Sequence, residues 1–309
     1  MRKSIFWLAG FICWISCLQG QHYPMYSQYM HNQAVINPGY TGSRDVLSTS
    51  LLFRQQWLGI QGAPSTQAFY LHSPLRNPRN NFGFNMVIDR LGVTYRNAFN
   101  VSYAYRIDLG EKKGRLAFGL QGGIASLQNR FRDVVTDESG DHVFGYNTPA
   151  ILVPGVGFGA YYDTRRWYLG VSLPYLLEYH NAAFNLFVQN NDSIASSRPA
   201  LLATGCVIRL NPDILLRPSI LAKFVPNSPV QMDLNAHLII KDQLWLGASY
   251  RTGDALVGLI GYQITPQFKI GYSYDQAISP LRKYNNGSHE LMVRYEFGYR
   301  LKVMSPRYF

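Results

Sequence analysis

The feature that most limits what this chain can become is a two-residue alternation that begins at Leu47 and recurs almost to the end. Leu47, Thr49, Leu51, Phe53 and Trp57 fall on one face, and Ser48, Ser50, Arg54 and Gln56 on the other. Phe82, Phe84, Met86 and Ile88 alternate with Gly83, Asn85 and Asp89, and Phe99, Val101, Tyr103, Tyr105 and Ile107 with Asn100, Ser102 and Arg106. Later runs repeat the pattern: Met232 to Leu238 against Asp233, Asn235 and His237; Phe268 to Tyr274 against Lys269, Ser273 and Asp275; Leu291 to Tyr299 against Glu290, Arg294 and Glu296. A period of two is the mark of a strand with unlike faces. The pattern predicts about fourteen strands, at 45–57, 65–72, 81–89, 96–107, 115–127, 153–162, 167–174, 200–210, 214–224, 230–240, 244–250, 255–264, 268–275 and 289–300.

A soluble β-sandwich shows alternation too, so the character of the faces and the connections must decide. A sandwich needs its inner face apolar, whereas here the second face is small and polar and the bulky, aromatic face is the other one. That suits lipid outside and a polar interior, with Tyr near strand ends as an interfacial belt. The connections also alternate in length. Asp163–Arg166, Asn211–Asp213, Lys241–Gln243 and Thr265–Gln267 are short, while 128–149, 175–199 and 276–288 are long. Short periplasmic turns and long external loops are the outer-membrane pattern, and an even strand count leaves both termini in the periplasm. The expected fold class is all-β: a transmembrane antiparallel β-barrel of the outer-membrane type, with an N-terminal segment outside the barrel wall.

Export agrees with that reading. Met1–Gly20 begins with Arg2 and Lys3 and continues with thirteen mostly apolar residues from Ile5 to Cys17, too few to span a bilayer as a helix and apt for a signal peptide cut before Gln21. Cys13 and Cys17 leave with it, and the single remaining Cys206 excludes an intramolecular disulfide. Of the 29 basic residues 27 then remain against 18 acidic ones, a net charge of +9. No Lys/Arg cluster marks a nucleic-acid surface, so an anionic lipid surface or an acidic protein partner is the expected counterpart. The domain reading is 1–20 signal peptide, 21–44 periplasmic or lumenal segment, 45–300 barrel and 301–309 tail.

Catalytic chemistry is sought in vain. The seven histidines include no H-E-x-x-H and no close pair. Ser172 lies in a strand and lacks the second glycine of a nucleophile elbow. Gly155, Gly157 and Gly159 read as a thinned inner face rather than a phosphate loop. The loop with Asp133, Asp137, Glu138 and Asp141 does not have the spacing of an EF-hand. No cofactor, metal or catalytic residue is expected. The expected lumen-facing charges are Arg54, Asp89, Arg106, Arg217, Lys223, Asp233, Lys269, Asp275, Arg294 and Glu296, of mixed sign, suited to pairing with one another and with a plug or to lining a pore.

The stretch YSQYMHNQAVINPGYTGS, Tyr26 to Ser43, follows neither period. It precedes the first strand on the periplasmic side and is rich in side chains that both donate and accept hydrogen bonds. It is expected to fold into the lumen as a partial plug, with Tyr26, Tyr29, Asn32, Asn37 and Tyr40 as its contact residues, or else to lie along the periplasmic rim.

Several blocks together resemble a known family. They are Ser27-Gln28-Tyr29-Met30 with Asn37-Pro38-Gly39-Tyr40-Thr41-Gly42-Ser43; Arg54-Gln55-Gln56-Trp57 followed by Gly62-Ala63-Pro64-Ser65-Thr66-Gln67; the run from Pro229 to Arg251; Gly271-Tyr272-Ser273-Tyr274-Asp275; Gly287-Ser288-His289-Glu290; and the terminal Ser305-Pro306-Arg307-Tyr308-Phe309. They are similar to the PorP/SprF-like outer-membrane proteins of the Bacteroidetes type IX secretion system. The resemblance implies an integral barrel, embedded in outer-membrane lipids, that serves export of proteins with dedicated C-terminal domains. It implies partners of two kinds: the periplasmic ring lipoprotein and its partner, or one large secreted surface protein such as a gliding adhesin. It supplies no catalytic residue. The alternative from the residues alone is a channel for small or hydrophobic solutes.

Overall fold

The computed structural model describes residues 25–110, 114–133, 146–178, 198–226 and 228–298. The expected signal peptide 1–20, residues 21–24, the acidic residues Asp137, Glu138 and Asp141, most of the loop 175–199 and the tail 301–309 lie outside the described residues.

The strands are β1 (Leu47–Gln55), β2 (Ser65–Pro74), β3 (Asn80–Leu91), β4 (Thr94–Asp108), β5 (Arg115–Asn129), β6 (Ile151–Asp163), β7 (Trp167–Glu178), β8 (Ala200–Cys206), β9 (Ile208–Asn211), β10 (Ile214–Phe224), β11 (Gln231–Ile240), β12 (Leu244–Arg251), β13 (Ala255–Gln263), β14 (Phe268–Ala277) and β15 (Ser288–Phe297). Neighbours in sequence pair antiparallel, and β15 pairs with β1 from Ser288's neighbour His289↔Gln55 to Phe297↔Leu47. The sheet is therefore closed, with no edge to protect. β8 and β9 are two pieces of one crossing, since both pair with β10 and the register is the same on either side of the break at Val207, from Ser219↔Gly205 to Leu216↔Ile208. Counted as crossings, the barrel has fourteen strands, and each expected span coincides with one of them.

Burial along the strands is the inverse of a soluble sheet. In β1, Ser48, Ser50 and Arg54 are buried while Leu51 and Phe53 are exposed. In β4, Phe99, Val101, Tyr103 and Tyr105 are each more than 40% exposed, yet Ser102 and Arg106 are buried. Apolar side chains facing out in such a continuous band need hydrocarbon rather than water around them. The turns at 75–79, 164–166, 212–213, 241–243 and 264–267 share the end where β1 begins, and β5, β7 and β14 end at the other. The short-turn end is the periplasmic one.

Residues 25–46 stand inside this wall. Tyr29, Met30 and Tyr40 are buried to 1% exposure, and Ser27, Gln28, His31, Asn37 and Thr41 are buried with them. The missing periodicity has a local cause. The segment satisfies its own backbone through three short 3₁₀ turns, Tyr29–His31, Gln33–Val35 and Pro38–Tyr40. The Asn32 side chain accepts from Ala34 N–H at 3.3 Å and the Asn37 side chain from Gly39 N–H at 2.8 Å, so two asparagines cap the two later turns. Pro38 suits the first position of its turn. Gly42 has φ +75°, and a side chain there would also run into Asn81.

Candidate functional site

The inner face and the segment meet at three heights. Near the external end, the backbone N–H groups of Ser27 and Gln28 donate to the two carboxylate oxygens of Glu290, each at 2.8 Å. The Ser27 hydroxyl donates to Asp275 Oδ2 at 2.6 Å and accepts from Arg54 at 2.9 Å and Arg251 at 3.2 Å. Arg54 in turn binds Asp275 at 2.8 Å and Glu290 at 3.1 Å, and Arg251 binds Asp233 at 3.0 Å. This is a network of buried charges in which each member has a partner, the condition under which such groups are tolerated away from water.

At mid-height the wall is cationic. Arg217, Lys269 and Arg294 are buried here. Arg217 donates to the Met30 carbonyl at 2.7 Å and Arg294 to the His31 carbonyl at 2.9 Å. The Lys269 ammonium lies 3.3 Å from His31 Nδ1 and 3.2 Å from the centre of the Trp245 ring. Main-chain carbonyls and an aromatic face thus compensate cations that have been taken out of water. Burial, and then the facing Lys269, His237, Arg217 and Arg294 side chains, push the His31 imidazole well below the usual histidine range, which keeps it neutral in place. Asn235 donates to the Tyr29 hydroxyl at 2.7 Å and Asn32 to Ser50 at 2.5 Å.

Toward the periplasm the segment leaves through a second set of ion pairs. Arg44 binds Glu296 at 2.7 Å; Asp45 binds Arg106 at 2.7 Å and Arg115 at 3.1 Å; Arg115 also holds Asp163 at 2.6 Å. Just above, Thr41 shares a hydrogen bond with Ser102 at 3.0 Å, and Gly42 N–H donates to His72 at 3.1 Å. Further round the same side, on β6 and β7, Asn37 donates to the Ala160 carbonyl at 3.0 Å, and Ser172 donates to the Ile36 carbonyl at 2.6 Å. The thinned strands matter here. A methyl group on Gly119 or Gly159 would overlap Pro38 or Asn37, so glycine lets the segment's backbone reach the wall.

Of the charges expected to face the lumen, Arg54, Arg106, Arg217, Lys269, Asp275, Arg294 and Glu296 gather around the segment, with Asp233 one step behind through Arg251. Asp89 does not join them; it accepts from Thr66 at 2.5 Å beside the external end of β3. Lys223 makes no direct ion pair with these networks but lines a cavity beside Asp233, within electrostatic reach of Asp233, Asp254 and Arg251. Tyr40 packs edge-on against Tyr161 at 5.2 Å, and Tyr26 donates nothing to the ion pairs but meets the Tyr70 hydroxyl at 3.4 Å. Sequence reasoning placed Glu290 on the polar face with Arg294 and Glu296 but did not count it among the lumenal charges, and it missed Arg251, Arg115, Asp163 and Trp245. Trp245 is a large aromatic on the inner face; it shares the parity of Ser249 and Arg251, but its apolar bulk suggests the lipid face.

The closed sheet, the inverted faces and the filled lumen define a class: an outer-membrane β-barrel whose own N-terminal segment occupies its interior. Within that class the chain belongs to the family described as type IX secretion system membrane protein PorP/SprF, whose model matches residues 18–295. It is a membrane component of that secretion system, located in the outer membrane. Among solved structures it is similar in fold to the CymD monoaromatic hydrocarbon channel, with TM-score 0.51 and 11% identity over 91% of this chain and 95% of that one. The Ralstonia pickettii toluene transporter TbuX matches with TM-score 0.48 and 10% identity (91% and 96% covered), and Acinetobacter baumannii Omp33 with 0.47 and 9% (82% and 99%). At these identities the likeness concerns the fold alone. The sequence matches no curated relative.

Proposed function

We propose that this barrel is a closed, non-enzymatic body that supports export or surface attachment of the system's cargo, such as gliding adhesins, rather than a conduit for solutes. The observation that carries the reading is the segment from Ser27 to Asp45, fixed to the wall by charges at three heights. A lumen filled in this way leaves the rims as working surfaces. In this reading the external loops 128–149, 175–199 and 276–288 engage the C-terminal domain of a secreted surface protein. The periplasmic edge engages the ring lipoprotein and its partner, and the leader 1–20 is removed on export.

A deletion strain tests this. The surface proteome is compared with wild type, and uptake of small solutes is measured in parallel. Loss of one or more surface proteins with unchanged uptake is the expected result. Normal surface display, or impaired uptake alone, would contradict it. Pull-down with the purified barrel then separates the two partner classes: ring components mark a core role, and a single large adhesin marks a cargo-specific one.

A further inference from the structure

We propose that the external half of the lumen contains a binding site for a short aliphatic carboxylate, between the N-terminal segment and β7, β8, β10 and β11. A cavity of about 70 Å³ lies there. Tyr26 and Ile36 of the segment form one side, and Pro174, Leu201 and Leu221 of the barrel form the other. The cavity exists because β7 bulges. Leu173 pairs with Phe158, but the next pair is Leu177 with Val156, so residues 174–176 face the single residue Gly157. Both Pro174 and Tyr175 thereby line the cavity, and a methyl group on Gly157 would overlap the Pro174 carbonyl. Bulges re-aim side chains in this way beside sites, and a proline is admissible where the ladder is already interrupted.

Two charged side chains, Asp233 and Lys223, reach this apolar space. Asp233 is already held by Arg251 at 3.0 Å. Lys223 lines the cavity and makes no direct hydrogen bond or ion pair among the described residues; the carboxylates within its electrostatic reach, Asp233 and Asp254, are both bound by Arg251. An apolar pocket with one ammonium on its wall that has no directly bound counter-ion complements an apolar body that carries a single negative charge. A multiply charged phosphate is disfavoured by the neighbouring Asp233 carboxylate, and a neutral hydrocarbon leaves Lys223 without a partner. Size narrows the class further. A dry cavity of about 150 Å³ accommodates a benzene ring, so half that volume suits about three to four carbons. A branched or straight chain of that length with a carboxylate head fits both requirements, and this assignment is independent of the secretion role.

Isothermal titration of the mature chain in lipid nanodiscs with 3-methylbutanoate tests the site. Saturable binding is expected, at least tenfold tighter than for 3-methylbutan-1-ol, which lacks the charge, or acetate, which lacks the body. Lys223→Met should weaken it at least tenfold and Lys223→Arg should retain it. Leu221→Trp, which fills the cavity, should abolish it, with heat-modifiable migration on gels confirming that each variant barrel is folded. Absence of saturable binding to the wild type, equal affinity for the alcohol, or wild-type affinity in Lys223→Met would each overturn the proposal.

Discussion

Glu290, on the strand that closes the barrel, accepts the backbone N–H of Ser27 at 2.8 Å across 263 positions of the chain, and its second oxygen takes the next N–H. The wall thus grips main chain as well as side chain at the external end of the segment. Removing the carboxylate leaves two N–H groups and Arg54 short of an acceptor in a buried place. Breaking a buried charged partnership costs about 3–5 kcal/mol. In Glu290→Ala, amide hydrogen exchange at Ser27 and Gln28 is expected to speed up by at least about a hundredfold. Unchanged exchange would mean that the grip contributes nothing to docking.

The glycines beneath Pro38 give a test of the opposite sign, by adding an atom. Gly119→Ala or Gly159→Ala places a methyl group where Pro38 or Asn37 already sits. Overpacking of this kind costs about 1–3 kcal/mol, and the turn at Pro38–Tyr40 should lift from the wall. Gly122→Ala is the control, since nothing lies within 4 Å of the added atom. Protease accessibility of the segment should rise for the first two variants and stay at the wild-type level for the control.

Acid should loosen the segment through His31. The imidazole sits below the usual histidine range when docked, whereas a released segment takes up a proton near about pH 6.5. The released state therefore binds more protons below that pH. Docking is at full strength above about 6.5 and weakens as pH falls, by up to about tenfold per unit. Segment exposure measured from pH 8 to 5 should increase at the acidic end, and His31→Asn should flatten the curve. Lys269, His237, Arg217 and Arg294 face the ring, so an equal response in His31→Asn would assign the effect elsewhere.

The barrel was legible in the sequence because lipid imposes one rule on each strand: Leu51 and Phe53 out, Ser50 and Arg54 in, with a shift of one residue reversing both. The turns were legible for the same reason, as short polar interruptions of a regular beat. What fills the lumen was only half legible. Asn32, Asn37 and Pro38 advertise turns, but the wall residues that hold those turns lie on distant strands, as Ala160 holds Asn37 from 123 positions away. Pairings such as Ser27 with Glu290 and Asp45 with Arg115 leave no local trace. Lys223 carried the same inward parity as the paired charges, and nothing in its neighbours in sequence marked it as the one beside a cavity.

Current through single barrels in planar bilayers tests the filled lumen most directly. The mature chain should conduct little. Deletion of residues 22–44 should raise conductance at least about tenfold and favour anions, because Arg217, Lys269 and Arg294 then face water without the carbonyls and the imidazole that occupy them. Comparable conductance from the intact and the deleted barrel would contradict the account.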